Sequence, residues 1–404
     1  MDILPILAAL KRQKTAAALI AIEIALCCAI VCNALFLIAH RMEASRIDSG
    51  IAENELIRVA TAGLGNAENP GLRMQEDLRA LEALPGVRQA ALVNQVPFFR
   101  SSWNTSVRMA RDDQQSVADV GAYYGDERLL DTLGLRLVAG RNFTHDEIVT
   151  FEGLFAGEEG PRVAIITQTL ARTLFGDADA LGKEFYPSET PARVVGVVER
   201  LIRPNISEDP DFTGLSMILP IRMGGGYGFY LLRAAPQDRA AVIEAARTKL
   251  REISPNRIVL SATTIEELRS SYFEEDRVMA GLLVAVVVAL LIVTALGIVG
   301  LASFWVQRRR RQIGIRRALG ATRRQILYYF QTENFLIVTA GIVLGMLAAY
   351  AISGWLMQQY ELPRLPWLYL PVGALTLWLL GQVAVLAPAL RAASVPPATA
   401  TRTV

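Results

Sequence analysis

Histidine and cysteine are scarce in this sequence of 404 residues, and their scarcity argues against most metal and nucleophile chemistry. The two histidines, His40 and His145, lie in no H-E-x-x-H motif, and the chain has no G-x-S-x-G motif. Zinc-dependent and serine-dependent hydrolysis therefore find no support. The three cysteines, Cys27, Cys28 and Cys32, share one apolar run. Without a histidine or a second cysteine cluster beside them, they predict small packing residues and no metal site.

A phosphate-binding loop is also missing. No G-x-x-x-x-G-K-[ST] pattern occurs, and the glycine-rich GGGYGF at 224–229 has no lysine, so it predicts an ordinary loop. We therefore expect no catalysis and no cofactor in this chain. The acids Glu274 and Glu275 belong to the amphipathic run TTIEELRSSYFEEDR, which predicts a solvated face leading into an apolar segment.

Apolar sequence is abundant, since 52% of the residues are hydrophobic. A spanning helix needs about 20 apolar residues, because each adds about 1.5 Å across a core about 30 Å thick. Four runs reach that length, at residues 15–39, 278–306, 326–357 and 365–390. The first is longer than the apolar centre of a cleaved signal and predicts a retained anchor. Two acids interrupt the runs: Glu23, expected to face neighbouring helices, and Glu333, expected to pair with nearby arginines.

The block between the first two runs, residues 40–277, is polar and long enough to form its own core. Alternating segments such as VAIIT and ARVVGVVE predict strands, whereas NPGLRMQEDLRALEAL and APQDRAAVIEAARTKLREI predict helices. The predicted fold class is therefore a membrane protein with four spanning helices, one before and three after an α+β domain.

Basic residues predict which ends stay inside the cell. Residues 1–14 contain three, and RRRRQIGIRRALGATRRQILYY at 308–329 holds eight arginines and no acid. The positive-inside rule then places both termini (1–14 and 391–404) and the connector 307–325 in the cytoplasm, with the large domain outside. Six of these arginines are also expected to face anionic lipid: Arg308, Arg309, Arg310, Arg311, Arg323 and Arg324. The flanking runs hold the connector at the bilayer, so we expect no nucleic-acid binding.

The connector also has a helical pattern. One stripe carries Ile315, Leu319, Thr322 and Ile326, with arginines opposite. An amphipathic helix at the membrane surface has this pattern, and so does a helix that docks into a partner's groove. The residues alone do not choose between them. Gly314 and Gly320 disfavour a regular helix and predict a bend or a close backbone approach.

A longer stretch, RRQIGIRRALGATRRQILYYFQTENFLIVTAGIVLGMLAAY, resembles the signature of the MacB/FtsX-type ABC transporter permeases. The commonest form of that family has an acid where this chain has Gln312. Other segments resemble the family's landmarks in the same order: LRALEALPGVRQAALVNQVPF, LLDTLGLRLVAGRNFT, VAIITQTLARTLFGDADALGKEF, ARVVGVVER and APALRAASVPPATA. The resemblance thus extends over nearly the whole chain.

The resemblance implies a permease subunit that lacks a fused ATPase domain and resides in a bacterial inner membrane, with its large domain in the periplasm. Its coupling helix would seat on a cytoplasmic ABC ATPase subunit, which would bind the ATP and magnesium. The implied contact residues are Ile313, Gly314, Ile315, Arg316, Arg317, Ala318, Leu319, Gly320 and Ala321. The resemblance also implies two lobes in the large domain, and we expect the inserted one at about 116–190.

Four helices are few for one transporter, so we expect a second permease chain, identical or paralogous. The family further implies a periplasmic adaptor and an outer-membrane exit duct. The spans are poor in polar residues, and Gly341 and Gly345 form a G-x-x-x-G motif that permits close helix packing. Both features favour a mechanical role, in which ATP-driven movement powers efflux of a drug, toxin or peptide. Two alternatives are an FtsX-like regulator of a cell-wall hydrolase, usually with a smaller external domain, and a membrane receptor, which would need an internal output domain.

Overall fold

The computed structural model describes residues 14–62, 70–157, 159–207, 209–224, 228–254, 258–360 and 365–394. The chain forms two compact units, one of Met1–Ser45 with Glu275–Val404 and one of Arg46–Glu274. We call the second unit the core domain. Residues 1–13, half of GGGYGF, part of the YELPRLP loop and most of the predicted C-terminal tail lie outside the described residues.

Four helices are long and apolar enough to cross a membrane, and we call them the first to fourth spans. Their bounds are Lys14–Ala44, Glu274–Arg308, Arg323–Tyr360 and Tyr369–Ala393. The fourth begins four residues later than its predicted run and ends three residues later. The first three extend beyond the predicted apolar runs at both ends, because helical hydrogen bonding continues past the residues that face hydrocarbon. Arg41 and Asp276, for example, form an ion pair near one end of the first and second spans.

The first and third spans pack closely. A Cβ atom on Gly345 would lie 2.5 Å from the Cβ of Cys28 and 2.6 Å from the carbonyl oxygen of Ala25, and one on Gly341 would lie 2.8 Å from the carbonyl oxygen of Ala21. The two glycines therefore permit backbone contact that a side chain would block. Cys28 is fully buried in this interface, which fits a packing role.

The core domain contains twelve described strands. In chain order they are β1 (Leu56–Ala62), β2 (Val87–Val93), β3 (Asn104–Val107), β4 (Ala118–Gly125), β5 (Leu137–Gly140), β6 (Val149–Thr150), β7 (Val163–Thr167), β8 (Glu184–Phe185), β9 (Ala192–Val198), β10 (Ser216–Arg222), β11 (Phe229–Ala234) and β12 (Ile258–Thr264). The described helices are Pro70–Glu82, Leu129–Leu133, Phe151–Phe155, Gln168–Phe175, Pro210–Thr213, Arg239–Ile253 and Ile265–Tyr272, with 3₁₀ turns at Glu53–Glu55 and His145–Glu147.

The strands form two sheets. The first is antiparallel in the order β12–β1–β11–β2, and Val59 of β1 lies opposite Tyr230 of β11. The second has the order β3–β4–β10–β7–β9–β5, with β6 beside β10 and β8 beside β9. It is mixed, since β4 and β10 are parallel whereas β10 and β7 are antiparallel. Buried side chains from both sheets and the helices Pro70–Glu82 and Arg239–Ile253, among them Met74 and Val242, form one hydrophobic core.

The first sheet takes its strands from both ends of the core domain, and the second is inserted between them. The inserted lobe is wider than the predicted 116–190, because its strands extend from Asn104 to Arg222. Alternation along a segment predicts a strand but does not say which strand it pairs with. The pairing of β3 and β10 with β4 sets the wider boundary.

Candidate coupling site

A short helix, Arg310–Ala318, lies between the second and third spans, and we call it the connector helix. It ends in a tight turn at Gly320, whose φ is +95°. The N–H of Gly320 donates to the carbonyl of Arg317 at 3.1 Å, and the N–H of Ala321 donates to that of Arg316 at 3.0 Å. This is the Schellman arrangement, which uses a left-handed residue and so favours glycine.

The third span begins directly after this turn, with Thr322 as its capping residue. The N–H of Gln325 donates to Oγ1 of Thr322 at 3.3 Å, and the N–H of Thr322 donates to Oε1 of Gln325 at 2.9 Å. This reciprocal capping box has the pattern T-x-x-Q before an apolar run. Sequence reasoning missed it, although the pattern was visible.

The connector is therefore not one helix over 307–325, as the stripe of apolar residues predicted. Gly320 reverses the chain and Thr322 starts a new helix, so the predicted stripe is divided. Ile326 is buried, whereas the side chains of Ile315 and Leu319 are exposed by 45% and 83%. The glycines of the connector predicted either a bend or a close backbone approach, and Gly320 produces a bend.

The inner face of the connector helix is anchored to three spans. Ile313 is buried in a cluster with Val306 of the second span and with Ile326 and Phe330 of the third. Ala389, Ala392 and Ala393 of the fourth span complete the cluster. Gly314 is buried beside Ile313. The connector helix is thus packed against the ends of the second, third and fourth spans.

Several arginines strengthen this attachment. Arg309 donates from Nη1 to both carboxylate oxygens of Glu333, at 3.1 and 2.9 Å. The guanidinium of Arg316 lies 5.0 Å from the ring centroid of Tyr329. Nη1 of Arg317 donates at 3.1 Å to the carbonyl of Ala393, near the end of the fourth span, where carbonyls lack helical partners.

Arg309 therefore differs from its predicted role as a lipid-facing residue, because its side chain is only 13% exposed. Glu333 pairs with an arginine of the connector, as its position in the sequence suggested. The other intramembrane acid, Glu23, faces the second span, and a Cβ on Gly297 would lie 2.8 Å from its Oε2.

The outer face of the connector is open. Arg310, Arg311 and Arg323 are exposed, and Leu319 lies at the tip of the turn with most of its side chain exposed. Arg308 lies over the ring of Phe304 in the second span. Nη2 of Arg324 donates to the hydroxyl of Tyr328 at 3.0 Å. An exposed apolar tip on a segment that also carries exposed arginines suits binding to another protein surface.

A second group of contacts joins the two chain ends of the core domain, and we call it the base clamp. Nη1 of Arg269 lies 2.7 and 2.9 Å from the carboxylate oxygens of Glu53, and its Nη2 donates to the carbonyl of Ile47 at 2.7 Å. The ring of Phe98 lies 5.0 Å from the same guanidinium. Tyr272 completes the clamp, because its ring contacts Phe98 and its hydroxyl accepts from a backbone N–H of the inserted lobe at 2.9 Å.

Sequence reasoning did not find the base clamp. Phe98 is buried, and its φ of +63° is unusual for a side chain of that size. Alternation and periodicity could not have found this group, because Glu53 and Arg269 are 216 residues apart.

Two family models match the chain. The MacB-like periplasmic core domain matches residues 15–253, more than half of the chain, and the FtsX-like permease C-terminal domain matches residues 284–397. The chain belongs to the MacB/FtsX-type ABC transporter permeases. The connector helix of this permease, and the turn at Gly320, lie within the FtsX-like match.

Relatives of this permease include a Bacillus subtilis (strain 168) protein named as the uncharacterized ABC transporter permease YknZ. It is 23% identical over 355 residues, which cover 83% of this chain and 81% of the relative. The macrolide export ATP-binding/permease protein MacB of Chromobacterium violaceum is 27% identical over 229 residues, covering 54% of this chain and 33% of MacB. Among solved structures, the periplasmic region of MacB from Actinobacillus actinomycetemcomitans matches 55% of this chain and 94% of that one, with 16% identity and a TM-score of 0.36.

Proposed function

We propose that this permease couples ATP hydrolysis by a separate cytoplasmic ABC ATPase subunit to movement of its core domain. The observation that carries the proposal is the exposure of Leu319 on an ordered turn. Its side chain is 83% exposed, yet it lies on a turn fixed by Gly320 and Thr322 and attached to three spans through Ile313. An exposed apolar side chain on a well-ordered support is a suitable anchor for a partner's pocket.

The same geometry supports a mechanical role. A force on Leu319 would act on the connector helix, and the Ile313 cluster and the Arg309–Glu333 pair would carry it to the spans. ATP can drive such a change only if it binds the two states with different affinity. The ATP and its magnesium would be held by the ATPase subunit, and this chain would contribute the moving part.

The proposed orientation follows from charge. The connector and both termini would lie in the cytoplasm of a bacterial inner membrane, because basic loops are retained there. The core domain would then lie in the periplasm. The exposed Arg310, Arg311 and Arg323 would contact anionic lipid or acidic side chains of the ATPase.

The complex would contain a second permease chain, identical or paralogous. A periplasmic adaptor and an outer-membrane exit duct would complete a pathway for efflux of a drug, toxin or peptide. The name of the MacB relative, a macrolide export protein, supports efflux. An FtsX-like regulator of a cell-wall hydrolase would share the coupling step and differ in its periplasmic partner.

Two experiments test the proposal. Affinity purification from native membranes should recover an ATPase with an adaptor; an ATPase with a hydrolase would favour the regulator, and recovery of no ATPase would contradict both. In the reconstituted complex, Leu319→Asp should abolish stimulation of ATP turnover, because a carboxylate would be buried in an apolar pocket. Leu260→Asp is the matched control, since Leu260 is 64% exposed on β12 of the core domain. Unchanged turnover in Leu319→Asp would refute docking through this residue.

A further inference from the structure

The core domain contains an open cavity that none of the contacts described above explains. Its volume is about 440 Å³, within the range of small-molecule sites. Its polar lining comes from three parts of the domain. The residues that matter here are Asp48, Arg136, Gln168, Arg172, Glu199 and Arg200.

Backbone contacts hold the walls of this cavity in place. Gly50 has a φ of +80°, and a Cβ on it would lie 2.2 Å from the carbonyl oxygen of Arg200. The N–H of Ile202 donates to the carbonyl of Ser49 at 3.2 Å, and the N–H of Ala52 donates to that of Leu133 at 2.9 Å. The cavity is therefore formed before any ligand arrives, which reduces the entropic cost of binding.

The charges that line the cavity do not cancel. Glu199 is already paired with Arg136, and Oδ1 of Asp48 accepts from the N–H of Gly50 at 3.0 Å. Arg172 and Arg200 form no ion pair with the described residues. The lining thus holds three arginines and two carboxylates, a net charge of +1. The guanidinium groups of Arg172 and Arg200 remain available to a ligand.

The start of the helix Gln168–Phe175 adds to the positive potential. Oγ1 of Thr167 accepts from the N–H of Leu170 at 3.2 Å, and Gln168 and Thr169 of the same first turn line the cavity. First-turn N–H groups lack helical partners and carry partial positive charge. Arg172 lies one turn further along, and side chains on a helix lean toward its N-terminus.

We propose that this cavity binds a small solute through an oxyanion group, a carboxylate or a phosphate, held by Arg172 and Arg200. Guanidinium groups match such groups because they offer paired N–H donors in one plane. The site lies wholly within the core domain and does not depend on the proposed coupling to an ATPase. It can therefore be tested without the partner subunit.

The test is calorimetric titration of the full-length protein in detergent, with citrate in one series and inorganic phosphate in the other. We expect saturable binding of at least one of the two anions. Binding should be weaker at about 0.15 M salt than at low salt, because salt screens exposed charges. Arg172→Gln and Arg200→Gln should each weaken it about tenfold or more, as expected for loss of a charge-assisted hydrogen bond. Arg162→Gln is the control, because Arg162 is an exposed arginine of the same lobe that pairs with Glu159 outside the cavity.

The outcomes separate clearly. Binding of citrate alone would identify a carboxylate site, and binding of phosphate alone a phosphate site. Both arginines are largely exposed, so their replacement should leave the thermal unfolding midpoint unchanged. Absence of saturable binding for both anions, or wild-type affinity in both cavity variants, would overturn the proposal.

Discussion

Arg309 and Glu333 form a buried ion pair that joins the start of the connector helix to the third span. Nη1 of Arg309 lies 3.1 and 2.9 Å from the two carboxylate oxygens, and the side chains are 13% and 2% exposed. Arg309 immediately precedes the connector helix, and Ile313 lies within it. A polar and an apolar contact therefore attach the same short helix to the spans.

Removal of one partner should be costly, because the other charge would remain buried without compensation. We expect Glu333→Ala to lower the free energy of unfolding by about 3 kcal/mol. The double variant Arg309→Gln/Glu333→Gln should recover much of that loss, since no buried charge remains. The measurement is the thermal unfolding midpoint of the purified protein in detergent, with Arg310→Gln as an exposed control. A double variant less stable than Glu333→Ala would contradict this account of the pair.

The two glycines Gly345 and Gly354 of the third span provide a matched comparison. A Cβ on Gly345 would collide with the first span, at 2.5 Å from the Cβ of Cys28, whereas one on Gly354 would meet nothing within 4 Å. Gly345→Ala should therefore destabilise the protein by about 1–3 kcal/mol, the usual cost of overpacking. Gly354→Ala should be neutral or slightly stabilising, since alanine favours helix. The thermal unfolding midpoints of the two variants in detergent are compared with that of the wild type. Equal midpoints for the two variants would mean that the close helix contact is absent.

The four spans and the α+β domain could be predicted because each rests on a local property of the sequence. Run length and composition identify a span, and alternation or helical periodicity identifies strands and helices. The Arg309–Glu333 pair was also within reach, because Glu333 is the sole acid between the eight arginines of the connector and the end of the third apolar run.

The prediction of one helix over 307–325 was wrong because periodicity assumes a continuous helix, although the glycines correctly predicted a bend. Ile315 and Ile326 have the spacing of one helical stripe, but a left-handed Gly320 and a capping Thr322 between them start a new helix. The base clamp and the cavity depend on contacts between distant segments. Glu53 and Arg269 are 216 residues apart, and no local pattern relates them.

The base clamp leads to a prediction about energetic coupling between Glu53 and Arg269. Their charged groups meet at 2.7 and 2.9 Å with side chains only 17% and 24% exposed. In a cycle of Glu53→Gln, Arg269→Gln and the double variant, each single change should destabilise by about 1.5–3 kcal/mol. The changes should be non-additive, with an interaction free energy of about 1 kcal/mol or more. Thermal unfolding of the full-length protein measures the cycle, and strictly additive effects would show that the ion pair does not hold the two chain ends together.

Glu147 gives a prediction about pH. Its carboxylate accepts from Arg141 at 2.8 and 2.5 Å and from the N–H of Thr144 at 2.9 Å, and the Arg141 guanidinium lowers the pKa of Glu147 from 4.5 to about 2. Because the folded-state pKa is depressed, the stabilisation is complete above pH 4.5 and is lost as the pH falls toward 2. Glu147→Gln keeps the capping hydrogen bond. At neutral pH it should cost no more than about 1 kcal/mol, because the Arg141 side chain is about half exposed and water screens the pair. The difference in unfolding midpoint between wild type and variant should shrink steadily below pH 4.5, whereas Glu159→Gln, which removes the exposed partner of Arg162, should change little at any pH. If the difference in midpoint between wild type and Glu147→Gln widened as the pH fell, the pH dependence would have the opposite sign. The ion pair could then not be its source.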